Sequence, residues 1–499
     1  MPPRTRLALT VLGVAIGIGV LGDQLLRAVP WGLNLTVVAL AMIGAAVWLV
    51  YQYRLPASRD AAWIAVTAVL CAVAFLRRDS PTLHVLDVGV LAGALALFML
   101  AAQGASIRRR GLSTYIVATV TAAAHTWFGA PRLVFADIRW AELPIRGHWR
   151  QLGAVAIGLV IAFPLVLVFG ALFMSADATF EALVTSIHID LESVASHVAL
   201  TGVCTVFAAG ALRGVCFGDA SVAALGERAA SPALRSTTAV TVLAVLDLLF
   251  LVFVALQLRW LFGGMTVVQA TTGLTVAEYA RRGFFELVTA SALVIPVLLV
   301  AEWATLREGP KAETTFRALA TLLVLLVGVL LASALQRMLL YVGVFGLTEQ
   351  RLYTTAFMIW VAMVCGWLAW TVLRGARARF AFGALVQGLA VLAGLHLVNP
   401  DALISRVNVS HAARTAAAFD AAYAAGRLSA DAVPALLDAL PRLDPPARSA
   451  VATRLIARWG APSTRDWRSW NWSDHHARSL VLARALELRR LALPAPDGS

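Results

Sequence analysis

Long apolar stretches separated by short polar loops recur along the chain as far as Val398. Trp31 to Val50, Gln151 to Met174, Ser236 to Leu258 and Arg317 to Leu340 are each long enough to cross a bilayer as a helix. A hydrocarbon core of about 30 Å takes roughly 20 apolar residues in helical form, and a backbone in lipid must satisfy its hydrogen bonds internally. The pattern predicts about eleven spans. They are Leu7 to Leu26, Trp31 to Val50, Ala61 to Leu76, Leu83 to Ala102, Gln151 to Met174, Val194 to Arg213, Ser236 to Leu258, Gly283 to Trp303, Arg317 to Tyr341, Leu352 to Leu373 and Phe380 to Val398. A further run, Ser113 to Gly129, contains Tyr115, threonines and His125 and is expected not to cross.

From Asn399 the pattern changes to amphipathic helices. Val433, Leu436, Leu437 and Leu440 make one apolar stripe, and Val451, Leu455 and Trp459 another at intervals of four. Asp444 before Pro445 suits an N-cap and first helical position, so Pro441 to Pro446 reads as a joint between two antiparallel helices. The expected fold is an all-α polytopic transmembrane helix bundle over 1–398, with a small extramembrane helical domain over 399–499.

Composition agrees with the pattern: 60% of residues are hydrophobic and 14% charged, far from soluble proteins. The net charge of +13 comes from arginines scattered in loops, Lys311 being the one lysine, so it reads as a topology signal and not as a nucleic-acid surface. With a cytoplasmic N-terminus, Arg54, Arg59, Arg108 to Arg110 and Arg374 to Arg379 lie inside, the acidic Asp177 to Glu192 loop lies outside, and the C-terminal domain is extracytoplasmic. Arg77, Arg78, Arg281 and Arg282 run against that count. Arg4 and Arg6 before an apolar run resemble a signal peptide, but Asp23, Gln24 and Arg27 follow where a small-residue cleavage site would be, so an uncleaved first span is expected.

The four cysteines form no C-x-x-C pair. His84 with Asp87, and His475 with His476, supply too few ligands for zinc. No phosphate-binding loop, nucleophile elbow or dinucleotide fingerprint occurs in a fitting context, so neither an enzyme activity, a cofactor nor a metal is expected.

Ionisable residues within or beside spans are the candidate chemistry. Asp247 lies among leucines and valines; its insertion cost of about 2.5–3.5 kcal/mol is offset by neighbours worth roughly 0.3–0.6 kcal/mol each, and its carboxylate needs a partner or a proton. It is either a proton- or cation-accepting site or a packing residue. Asp23 and Arg27 are one helical turn apart and can pair. Glu278, Arg282 and Glu286 repeat every four residues beside Arg281, either as an anion-receiving site or as a self-neutralising ladder; Glu349 and Arg351 admit the same two readings. Trp467, Trp470 and Trp472 around Arg468 read as a stacking patch or as a docking contact.

An internal echo joins two hairpins. Ala255, Leu256, Gln257 and Arg259 precede Gly273-Leu274-Thr275, and Ala334, Leu335, Gln336 and Arg337 precede Gly346-Leu347-Thr348. The hairpins would point the same way, with Arg259 and Arg337 at one membrane level.

The strings L-G-D-Q-L-L-R-A-V-P-W-G-L-N from Leu21, T-V-A-E-Y-A-R-R-G-F-F-E-L from Thr275, G-L-T-E-Q-R-L-Y-T-T-A-F-M from Gly346, N-P-D-A-L-I-S-R-V-N from Asn399, L-S-A-D-A-V-P from Leu428 and D-W-R-S-W-N from Asp466 occur in order. They resemble a family of bacterial multi-pass membrane proteins that carries a domain-of-unknown-function label, DUF4173, related to DUF4153. The resemblance implies a bacterial plasma-membrane protein and transfers no site residue. The leading reading is a permease-like carrier of protons or small solutes. The alternative is a membrane scaffold or sensor whose C-terminal helices bind a protein partner. Beyond the lipid bilayer, neither a further partner nor an oligomeric state is legible.

Overall fold

The computed structural model describes residues 3–140, 148–177, 180, 191–218, 234–272, 284–305, 309–415 and 418–492. Eighteen helices occur among them, and no strand; an isolated bridge pairs Leu234 with Thr305. In chain order these are α1 (Pro3–Leu26), α2 (Leu33–Gln52), α3 (Asp60–Arg77), α4 (Pro81–Ala102), α5 (Leu112–Arg132), α6 (His148–Ala176), α7 (Leu191–Phe217), α8 (Ser236–Thr272) and α9 (Phe284–Ala304). They continue with α10 (Pro310–Phe345), α11 (Glu349–Thr371), α12 (Phe380–Val398), α13 (Pro400–Thr415), α14 (Ala421–Gly426), α15 (Val433–Ala439), α16 (Pro445–Trp459), α17 (Trp472–Ala483) and α18 (Ala485–Ala492).

Among the described residues ten segments, in α1–α4 and α7–α12, are long and apolar enough to cross a membrane. The predicted span Gln151 to Met174 falls on α6, a 29-residue helix. The Ser113 to Gly129 segment is helical too, as α5, and stands outside those ten. The chain is a membrane protein of all-α architecture.

Contacts divide the chain into two compact units, one formed by residues 1–72, 92–105 and 118–220, the other by 73–91, 106–117 and 221–499. In the first unit α1 and α7 are antiparallel and in close approach. A Cβ on Gly19 would meet the Thr201 carbonyl oxygen at 2.9 Å, and one on Gly22 would meet Cys204 Sγ at 2.9 Å. Small residues admit such closeness, which is how helices associate where lipid removes the hydrophobic drive. The pair is clipped at both ends. Asp23 accepts from Arg27 Nη2 at 2.7 Å and meets His197 Nδ1 at 2.6 Å. Asp137, just beyond α5, accepts from Arg4 Nη2 at 2.7 Å and from Arg213 Nε at 2.6 Å. Arg4 and Asp23 stand nineteen residues apart, about 28 Å at 1.5 Å per residue, close to one hydrocarbon thickness.

In the second unit, α8 buries a stripe of Ser236, Ala239, Leu243, Asp247 and Val254, flanked by the partly buried Val240 and Phe250, while Val242, Val245, Leu248, Leu249 and Val252 are exposed. That stripe packs with α9, α10 and α11 around Leu298, Leu323, Val327 and Leu368. The C-terminal helices have a separate core of Leu436, Val451, Leu455, Val481 and Leu488, joined by Leu347 and Ile404. Both predicted stripes lie in it. Pro445 opens α16 as expected, but Asp444 makes no side-chain capping bond. The α12–α13 corner is made by Asn399 at φ 58°, a left-handed position that Asn tolerates, followed by Pro400 at the start of α13.

Candidate functional site

The α8–α11 bundle holds most of the sequence-predicted polar residues. Its helices alternate in direction. One shallow cavity is lined by Ser236 at the start of α8, Glu302 at the end of α9, Phe316 and Arg317 near the start of α10 and Leu373 after α11. At the other end Arg337 of α10 donates to the side-chain oxygen of Gln257 on α8. Thus α8 and α10 run parallel, with Gln257 and Arg337 level. The first Gly-Leu-Thr turn, with Glu278, Arg281 and Arg282, lies outside the described residues, as does the side chain of Arg259. Glu286 is exposed on α9.

Asp247 sits midway along the packed stripe, eleven residues from Ser236 and ten from Gln257, so about 15 Å from either end. Only 4% of it is exposed, and neither carboxylate oxygen has a hydrogen-bond partner among the described residues. Its neighbours on the stripe are Leu243 and Val254. The carboxylate therefore faces helices and not lipid. A charged group left so would be severely penalised, whereas a group that takes a proton is tolerated.

The level end of the bundle opens into a cavity of about 390 Å³, lined by Phe284 and Phe285 of α9, Met338 and Tyr341 of α10, and Glu349, Arg351 and Thr354 of α11, with Tyr423 of α14 alongside. Gly346 at φ 73° turns the chain between α10 and α11, and the Asn408 amide side chain bridges the next residue, accepting from Leu347 N–H at 2.6 Å and donating to its carbonyl at 2.8 Å. Tyr423 Oη accepts the Glu349 N–H at 2.9 Å. Arg351 donates through Nη1 to the carbonyls of Phe345 and Gly346, and its guanidinium lies 4.2 Å from the centre of the Tyr341 ring. Glu349 and Arg351 thus share a cavity without pairing.

A third polar cluster was not anticipated. Asp431, after Ser429 and before α15, accepts from Arg78 Nη1 at 3.2 Å, Ser473 Oγ at 2.7 Å and the Asp79 N–H at 2.8 Å. Arg78 also donates to the His396 carbonyl, and Asn471 Nδ2 donates to the Arg78 carbonyl at 2.7 Å. Asp401, wholly buried, accepts from the Ser429 N–H at 3.0 Å and from its hydroxyl. Burial pushes Asp79 up to about 6, with Asp431 and Asp474 adding repulsion, against the opposing Ala430 N–H and Arg465. Burial also raises Asp401. His396 Nε2 meets Asp87 Oδ1 at 2.9 Å, so the His84 and Asp87 noted in the sequence serve different partners, His84 donating to the Arg78 carbonyl at 2.8 Å. Asn399, Asp401, Ser429, Asp431 and Asn471 all belong to the strings that carried the family resemblance. Among the described residues no group of His, Cys, Asp and Glu could hold a metal ion.

Near the C-terminus Trp467 and Trp472 are exposed, and the Trp472 ring stacks on His476 within the same helix. Arg468 pairs with Asp466, which holds that carboxyl below its usual range. Asp23 and Arg27 pair as their spacing predicts, with His197 a partner that no local spacing signals.

No curated protein and no solved structure matches the chain. A family model does, over residues 64–439, taking in α4–α15 and most of α3. The chain therefore belongs to the family described as Domain of unknown function (DUF4153).

Proposed function

We propose that this protein is a permease-like carrier of the bacterial plasma membrane, in which Asp247 takes up and releases a proton within the α8–α11 bundle. The observation that carries the reading is the Asp247 carboxylate, buried at mid-helix with both oxygens unpartnered among the described residues. An ionisable residue in that position is expensive to insert and is retained where it works. The parallel run of α8 and α10, with a polar cavity at the α10–α11 turn, suits a repeat-built carrier. The test is proton flux across proteoliposomes for the wild type and Asp247→Asn, which keeps the shape and removes the titration.

A scaffold or sensor role for the C-terminal helices is the second reading, favoured by the ion-paired clips of α1 and α7 and by the buried Arg78–Asp431 joint, where polar side chains serve one another. In this reading 399–499 forms an extramembrane domain that receives a protein partner. With the N-terminus inside, and with α6 as an eleventh span beside the ten apolar segments, that domain is extracytoplasmic. A cysteine placed in the 493–499 tail, in a background without the native four, is then labelled by an impermeant maleimide in intact cells; labelling only after lysis reverses the topology.

A further inference from the structure

We infer that the 390 Å³ cavity between α9, α10 and α11 is a binding site for a zwitterion carrying an ammonium and an oxyanion, such as an ethanolamine phospholipid headgroup or a soluble molecule of the same chemistry. The site stands whether or not the bundle carries protons.

Four features converge on that chemistry. Glu349 and Arg351 line the same cavity with no ion pair between them, because residues two apart on a helix do not face each other. The Glu349 carboxylate is half-buried and makes no hydrogen bond or ion pair among the described residues. Arg351 is anchored through Nη1 by two backbone carbonyls, which aligns the guanidinium and leaves its remaining donors for an oxyanion. Phe285 and Tyr423 line the cavity on the Glu349 side as aromatic groups that suit an ammonium beside the carboxylate, the Tyr341 ring being taken by Arg351.

A simple anion entering this cavity would meet Glu349, and a simple cation would meet Arg351. A ligand with both charges neutralises both. The volume lies in the usual range for small-molecule sites. The cavity lies at the α10–α11 turn, where two helices apolar enough to cross a membrane end, a place that headgroups or solutes can reach without crossing the hydrocarbon core.

The test uses the full-length protein in detergent, by native mass spectrometry with phosphatidylethanolamine or phosphatidylglycerol, and by thermal shift with free phosphoethanolamine or inorganic phosphate. A lipid source predicts at least about tenfold more retained phosphatidylethanolamine than phosphatidylglycerol, a difference of roughly 1.4 kcal/mol. A soluble source predicts instead that phosphoethanolamine raises the melting temperature where inorganic phosphate does not. In either case Glu349→Gln, whose fold is checked by its own melting curve, abolishes the preference for the zwitterion while the anionic probe binds as well or better. Arg351→Gln weakens both. Equal binding of zwitterionic and anionic probes by the wild type overturns the assignment without recourse to a variant, as does an unchanged preference in Glu349→Gln.

Discussion

Asp431→Ala should be among the most destabilising single changes in the second unit. Asp431 is 2% exposed and accepts from four donors at once, the Arg78 guanidinium, the Asp79 amide, the Ser473 hydroxyl and, more distantly, the Ser429 hydroxyl. Its removal leaves Arg78, itself 8% exposed, with the His396 carbonyl but no ion-pair partner. Losing one member of a buried ion pair costs about 3–5 kcal/mol, and an orphaned backbone N–H about 1–3 kcal/mol. The two losses share one site and do not add in full, and relief of repulsion on Asp79 offsets part of them, so a net loss of about 3–4 kcal/mol follows from these ranges. At roughly 2 °C per kcal/mol for a large unit, melting followed by tryptophan fluorescence in detergent should fall by about 6–8 °C. Asp431→Asn keeps an acceptor for the Asp79 amide and should lose about half as much. An Asp431→Ala protein that melts within about 1 °C of wild type would mean that the cluster is not a stabilising joint.

Two further outcomes follow from the same physics. The Asp79 carboxyl is raised from 3.8 to about 6, so its protonated form is favoured on folding; the stability it contributes is complete below about pH 4 and lost as pH rises through 6. Asp79→Asn, which can still accept from the Ala430 N–H, should therefore melt higher than wild type at pH 7.5, with the gap closing near pH 4; a gap independent of pH refutes the assignment. In the first unit, Gly210→Ala would set a Cβ 2.2 Å from the Thr126 carbonyl oxygen and 2.6 Å from that of His125, forcing α5 and α7 apart at about 1–3 kcal/mol or more. Gly13→Ala, which meets open space, is the matched control, and equal melting of the two variants would contradict the close approach.

Most of the helical architecture is legible in the sequence because a spanning helix declares itself locally: a continuous apolar run fixes its type, and the turn residues its ends. The Asn399-Pro400 corner and the Pro445 start are legible for the same reason. The Asp23–Arg27 pair follows from one-turn spacing, whereas His197 does not, since it comes from a helix 174 positions along the chain. The Arg78–Asp431 joint unites residues 353 apart. No periodicity encodes such a pairing, and the strings L-S-A-D-A-V-P and N-P-D-A-L-I-S-R-V-N carry residues of that cluster without showing that they meet. Glu349 and Arg351 were visible as charges beside a turn, but the cavity between them depends on Phe284 and Tyr423 arriving from other helices. Asp247 stands between these cases: its cost was apparent from its neighbours, while its place on the stripe facing α10 emerges only from packing.

The central claim, proton carriage through Asp247, is tested most directly by the decay of an imposed pH gradient in proteoliposomes with an internal pH-sensitive dye. The wild type should dissipate the gradient faster than protein-free vesicles. Asp247→Asn, incorporated at equal density and melting no lower than wild type, should return the rate to that of protein-free vesicles. A wild-type rate equal to protein-free vesicles, or an Asp247→Asn rate equal to wild type, contradicts the account.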